Sequence, residues 1–154
     1  MNIPDDVENL LQKEHFIVIS SLYKDKTVHT SAKGVIKVDL KGKIFILDLY
    51  KGKTYHNIKR NPHVTLTAIN ERNFRGYSIE GRAKIVRKET VPKSALKLWE
   101  EKITKRIARR IISHVKDERM ERDIPEASFP LPKYLIEVSV NKIVDLAPHK
   151  IKTK

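Results

Sequence analysis

Residues 53–64 read Lys-Thr-Tyr-His-Asn-Ile-Lys-Arg-Asn-Pro-His-Val, and the reading of the fold starts from them. Lys53 to Arg60 reads as a short helix. Pro62 stops it, because the proline ring disfavours helical backbone in the residue before it. His63 to Ile69 (HVTLTAI) then reads as a strand, the fourth in the chain. Upstream lie three more strands: His15 to Tyr23, Thr27 to Leu40 and Lys43 to Leu49, separated by turns at Lys24-Asp25-Lys26 and Lys41-Gly42. Gly34 falls inside the second, where a glycine marks a bulge or the close approach of another group. Downstream, after a polar loop from Asn70 to Phe74, Arg75 to Arg87 is the fifth strand, with apolar residues alternating through Tyr77, Ile79, Ala83 and Ile85. Five strands within ninety residues, mostly joined by short turns, indicate a barrel or sandwich and not a parallel sheet.

The flanks are helical. Asp5 to Lys13 places Val7, Leu10 and Leu11 on one face, with Asp5 and Asp6 in the first turn, where the helix dipole favours negative charge. A long helical insertion follows the fifth strand, from about Val91 to Arg119. Its apolar stripe runs through Leu96, Trp99, Ile103, Ile107, Ile111 and Val115, and Lys102, Lys105, Arg106, Arg109 and Arg110 crowd the other faces. Pro125, Pro130 and Pro132 make the next stretch an extended connection. Tyr134 to Val144 is a last strand that closes the barrel, and the basic tail from 148 to 154 is expected to fray.

The 154 residues suit a single domain over 1–154, able to bury roughly 70% of the surface its unfolded chain exposes. The formal net charge is +13, so the surface attracts anions. A phosphorylated cofactor and a nucleic acid are both candidates, and so is a solvated lysine-rich surface with no specific partner. There is no cysteine, which removes disulfides, thiol nucleophiles and thiolate metal sites. No stretch approaches the ~20 apolar residues of a membrane span. With no signal peptide at Met1 to Asp6, the expected location is the cytoplasm.

The order of helix, three strands, short helix, two strands, helical region and strand resembles the pyridoxamine 5'-phosphate oxidase-like, FMN-binding split-barrel family, from roughly Ile3 to Pro148. Residues 53–64 carry the most specific part, a basic residue, Asn-Ile, two polar residues, then Asn-Pro-x-Val. Ile79-Glu80-Gly81-Arg82-Ala83 is similar to the family's apolar-x-Gly-x-Ala step, and Lys133-Tyr134 before an apolar strand is a weaker match. The resemblance implies a mainly β (α+β) fold, a six-stranded antiparallel split β-barrel with flanking helices. It also implies a homodimer that binds FMN across its two-fold axis, and an oxidoreductase acting on a reduced nicotinamide or another small molecule.

It implies site residues as well. Lys53 and Thr54 stand at a helix N-terminus, where free amides and the dipole suit a phosphate. The family usually carries one or two basic residues there, so Thr54 replaces a charge with a hydroxyl. His29, Thr30, Ser31, Ala32 and Lys33 match the strand that runs under the ribityl chain and ring edge. The arginine that often stands near His29 in true pyridoxamine phosphate oxidases is missing, which argues against that particular activity. Leu47 and Asp48 lie where backbone passes the flavin, Tyr50 borders the pocket, and Tyr55 is expected in the core. Gly76 and Tyr77 are the candidates for covering the partner's ring. Trp99 is a weaker one that fits core packing better.

Other chemistry lacks its residues. There is no Gly-x-Gly-x-x-Gly, P-loop or Gly-x-Ser-x-Gly. The six histidines do not cluster, so no metal site is expected. No catalytic acid or base stands out, which a flavoprotein tolerates because the ring itself accepts and passes hydride. Two alternatives remain: a haem or a deazaflavin on the same fold, with His29 or His114 as haem ligand, and a nucleic-acid module using Lys102 to Arg110.

Overall fold

The computed structural model describes residues 1–14, 16–39, 41–90, 93–116, 124–132 and 134–149. His15, Leu40, Val91, residues 117–119, Lys133 and the end of the basic tail therefore lie outside the described residues. In chain order the elements are α1 (Asp5–Lys13), β1 (Ile17–Leu22), β2 (Val28–Lys33), β3 (Val35–Asp39), β4 (Lys43–Asp48), α2 (Lys53–Arg60), β5 (His63–Asn70), β6 (Arg75–Arg87), α3 (Lys93–Lys116) and β7 (Tyr134–Asp145). Short 3-10 turns cover Lys88–Thr90 and Pro125–Ser128.

All strand pairs are antiparallel, in the order β2-β1-β5-β6-β7-β4-β3. The two edge strands, β2 and β3, are consecutive in the chain and separated only by Gly34, so the sheet must curl until its edges meet. The long second strand read from the sequence is thus two strands. Its first half pairs with β1 and its second with β4. Counted as one passage of the chain, β2 and β3 make the seven strands the six of a split barrel. A Cβ on Gly34 would meet nothing within 4 Å, so it is not a steric glycine.

The core follows from strand alternation. Ile17, Ile19, Val38, Ile44, Ile46, Leu66, Ile79, Ile136 and Val138 point inward and are buried with Val7 and Leu11 of α1. Each such side chain contributes about 1.5–3 kcal/mol by leaving water. The β1–β2 turn is held by Asp25, whose carboxylate accepts from the Thr27 amide and hydroxyl. Among the described residues, no helix is long and apolar enough to cross a membrane.

The two sequence motifs meet in space. Asn61 turns the chain out of α2 by accepting from the His63 amide at 3.1 Å. The Pro62 carbonyl accepts from the Ala83 amide at 2.7 Å, and Val64 pairs with Gly81. At the β6–β7 bulge after Glu80, a Cβ on Gly81 would sit 2.5 Å from the Ser139 carbonyl oxygen. Only glycine fits that crossing without backbone movement.

Candidate functional site

α2 packs on β1, β2 and β6 with Thr54, Asn57 and Ile58 buried. Asn57 donates to Ser21 Oγ at 3.1 Å, and Arg60 donates to Asn57 and to the Leu22 carbonyl. These bonds fix the helix axis, and with it the position of the N-terminus. Gly52 supplies no side-chain cap, and the first turn holds no acidic residue. Its leading amides therefore have no partner within the helix. Thr54 Oγ1 lies 2.8 Å from Ser31 Oγ, a pair in which one hydroxyl proton stays available. The Lys53 ammonium stands 5.8 Å from the Tyr23 ring centroid, and Tyr23 Oη is 3.0 Å from His29 Nδ1. Burial, then the Lys53 and Lys33 cations, hold His29 below its ordinary value, so it is neutral at pH 7. The corner is thus a set of donors and one exposed cation with no carboxylate in its first turn, a surface suited to an anion.

Beside this corner the two strands that frame it run into a cavity of about 630 Å³. Residues 32–36 and 47–50 form its floor. Its roof is α3, through Trp99, Lys102, Ile103, Lys105, Arg106 and Arg109. Phe16 and Phe129 border it. That volume lies within the range of small-molecule and cofactor sites.

In the floor, Lys33 Nζ sits 2.7 and 2.8 Å from the two oxygens of Asp48. Asp48 is 3% exposed and also accepts from the Leu49 amide and from Tyr134 Oη. Burial, then the bond to Asp48, push the Tyr134 phenol well above the tyrosine range, so it remains a donor. Asp48 is therefore consumed by three internal donors, and Lys33 reaches the cavity already neutralised.

The sequence-predicted residues divide into groups. His29, Ser31, Lys33, Lys53 and Thr54 gather at the α2 corner, with Asp48 tied in through Lys33. Ala32, Lys33, Leu47, Asp48 and Tyr50 line the cavity. Thr30 is exposed and, by strand alternation, faces outward. Tyr55 packs edge-on against Tyr134 at the core margin. Gly76 and Tyr77 line neither corner nor cavity. Tyr77 is buried in its own subunit's core and donates to Asp6 of α1. His114, on α3, does not line the cavity either.

Trp99 does two things at once. It packs against the outer apolar cluster of Ile36, Leu47 and Leu135, and it faces the cavity. The α3 stripe behaves differently from its sequence pattern. No residue of α3 is fully buried, and Ile111, Ile112 and Val115 are exposed. The basic residues of the roof were legible only as a charged helix face. What places them over a cavity is the packing of Leu96 and Trp99 on the barrel's outer surface, a tertiary fact.

The comparisons agree with this geometry. Residues 3–129 match the family model described as pyridoxamine 5'-phosphate oxidase. Among solved structures, HupZ of Group A Streptococcus superposes with a TM-score of 0.67 at 14% identity, covering 94% of each chain. An F420 reductase gives 0.62 at 21% identity, covering 92% of this chain and 98% of the other. An FMN-binding protein from Syntrophomonas wolfei gives 0.59 at 11% identity, covering 92% and 84%. At these identities the likeness is one of fold. No curated protein sequence matches. With a family model spanning most of the chain, its two motifs bonded to each other, and a split barrel beneath them, this chain belongs to the pyridoxamine 5'-phosphate oxidase family.

Proposed function

We propose that the protein is an FMN-binding oxidoreductase that works as a homodimer in the cytoplasm. The observation that carries this reading is the continuity between the α2 corner and the cavity. Ser31 bonds Thr54, and the very next residues, 32–36, form the cavity floor. Likewise residues 47–50 line the cavity just before α2 begins. A molecule with a phosphate at Lys53 and Thr54 has its ring laid along both strands without a break.

Each part then has a task. The α2 amides, Lys53 and the Ser31–Thr54 hydroxyls hold the phosphate. The strand backbones orient the ring. Trp99 and Ile103 exclude water from one side. A bound flavin supplies the hydride chemistry, and the chain supplies binding, orientation and electrostatics.

The dimer is supported by the outward face of β2, β1, β5 and β6. Around Ser20 this face carries Val18, Thr30, Ala32, Thr65, Thr67 and Ser78, all uncharged, and charge enters on its β6 side with Glu80, opposite Thr65, and Arg82. An uncharged centre with charge toward its edge is the pattern of a protein interface. Ala32 belongs both to this face and to the cavity lining, so a second subunit seated there closes the cavity mouth. Titrating the purified protein with FMN tests the proposal, with saturable uptake expected and a loss of affinity in Lys53→Met/Thr54→Ala.

The basic roof favours a second reading, in which the ring compound is a deazaflavin or a haem whose carboxylates meet α3. A Soret band on haem reconstitution, or tighter binding of a deazaflavin than of FMN, selects it.

A further inference from the structure

α3 carries two apolar faces, and the barrel covers only one of them. Leu96 and Trp99 pack on the barrel, and Ile103 and Ile107 continue that side as half-buried residues. Ala108, Ile111, Ile112 and Val115 lie on a face turned away from it and are exposed, the last three at 48, 54 and 79%. Single exposed aliphatic side chains are ordinary on a protein surface. Four at steps of three, one and three residues form a continuous stripe over two helical turns. That spacing is the anchor pattern with which a helix docks on a partner.

The stripe has a cationic edge. Lys105 and Arg109 stand beside it on the cavity wall, and Lys116 follows Arg109 at a seven-residue step. Glu14 lines the same cavity and also accepts from Asn70 at 3.1 Å. Glu126, on the other side of the helix, is engaged by Arg110. From Lys102 to Lys116, α3 itself has no acidic residue. The complement of this edge is therefore a row of carboxylates beside an apolar surface.

A second copy does not supply it. Its own α3 brings the same cations, in a chain of net charge +13. A flat anionic membrane laid on the stripe also meets Glu101, exposed on the same face two turns before Ala108. A helix that crosses α3 at an angle touches only the last two turns and avoids Glu101.

We propose that Ala108, Ile111, Ile112 and Val115 are a docking stripe for an amphipathic helix of another protein, one whose apolar face is edged by Asp or Glu residues that meet the cationic edge from Lys105 to Lys116. The proposal is independent of the FMN reading, since none of the four stripe residues lines the cavity.

The probe is a synthetic helical peptide with leucines at alternating three- and four-residue steps and glutamates along its edges. It is labelled with fluorescein and titrated with the full chain. Anisotropy should rise to saturation. In Ile112→Ser/Val115→Ser, a change confined to exposed positions, the dissociation constant should rise by roughly tenfold or more. The same peptide with lysine in place of glutamate should bind the parent at least about tenfold more weakly, and Lys116→Glu should narrow that gap. No saturation, equal constants for the two peptides, or an unchanged constant in the double variant would overturn the proposal. So would an equal loss in Phe74→Ser, because Phe74 is a comparably exposed residue in the turn between β5 and β6 and reports general adhesion.

Two further measurements separate the other occupants. Cosedimentation of the parent with phosphatidylglycerol–phosphatidylcholine vesicles, lost in the double variant, would reassign the stripe to a lipid surface. A smaller particle for the double variant than for the parent in sedimentation velocity would reassign it to a second copy.

Discussion

At the scale of single residues, the group that organises the site is Asp48. It accepts from Tyr134, Lys33 and the Leu49 amide, so one buried carboxylate joins β2, β4 and β7 at the cavity floor. Tyr134→Phe removes one donor from a buried anion, and chemical denaturation should show a loss of about 1–3 kcal/mol. A change below ~0.5 kcal/mol would mean that Lys33 and the amide already satisfy Asp48. Tyr77 gives a pH signature. Burial, then its bond to Asp6, push its phenol up to about 12 from 10.0. Above pH 10 the unfolded chain releases this proton and the folded chain keeps it, so stability falls as pH rises toward 12. In Tyr77→Phe that decline should be shallower, by at most about 1.4 kcal/mol per pH unit. Denaturation midpoints between pH 9 and 12 read the difference. The place of Lys53 and Thr54 at the start of a short helix was legible in the sequence, because the helix and its stop at Pro62 are local features. Tyr77 was not: its partner, Asp6, is 71 residues away in sequence, and no local pattern reports that contact.

At the scale of elements, glycine positions separate steric need from conformational habit. Gly81→Ala drives a Cβ into the Ser139 carbonyl and Val138 Cγ1, at 2.5 and 2.9 Å, across the β6–β7 bulge. Thermal melts should show a cost of about 1–3 kcal/mol. Gly34→Ala, which meets nothing within 4 Å, should stay within about 0.5 kcal/mol of the parent. Equal effects at the two sites would contradict the placement of the bulge. The succession of strands along the chain and the short helix could be read from alternation and turn residues. The break at Gly34 could not, because a continuous strand and one that changes partner across a barrel seam have the same sequence period. α3 shows the opposite limit. Its apolar stripe predicted burial, yet Ile111, Ile112 and Val115 stand exposed while Lys102 and Arg106 are half-covered. A helix docked through Leu96 and Trp99 on a barrel exterior is oriented by what lies beneath it, and periodicity alone does not contain that information.

At the scale of the whole molecule, the split barrel leaves a patch of uncharged, mostly short side chains around Ser20 next to the cavity mouth, with Glu80 and Arg82 on its β6 side. Sedimentation of the parent protein should give a dimer. Ser20→Lys puts a charge in the middle of that face, between Thr30 and Thr65, and should give a monomer with weakened FMN binding. A dimer that survives this change would move the interface elsewhere. Independently of the dimer, the proposed function makes the α2 corner and the cavity floor one continuous cofactor site. Following flavin fluorescence while titrating FMN into wild-type and Lys53→Met/Thr54→Ala proteins tests it most directly. Saturation at one flavin per subunit, with affinity lowered by roughly tenfold or more in the variant, is the predicted result. Equal affinities in the two proteins, or no saturable binding in the wild type, would contradict it.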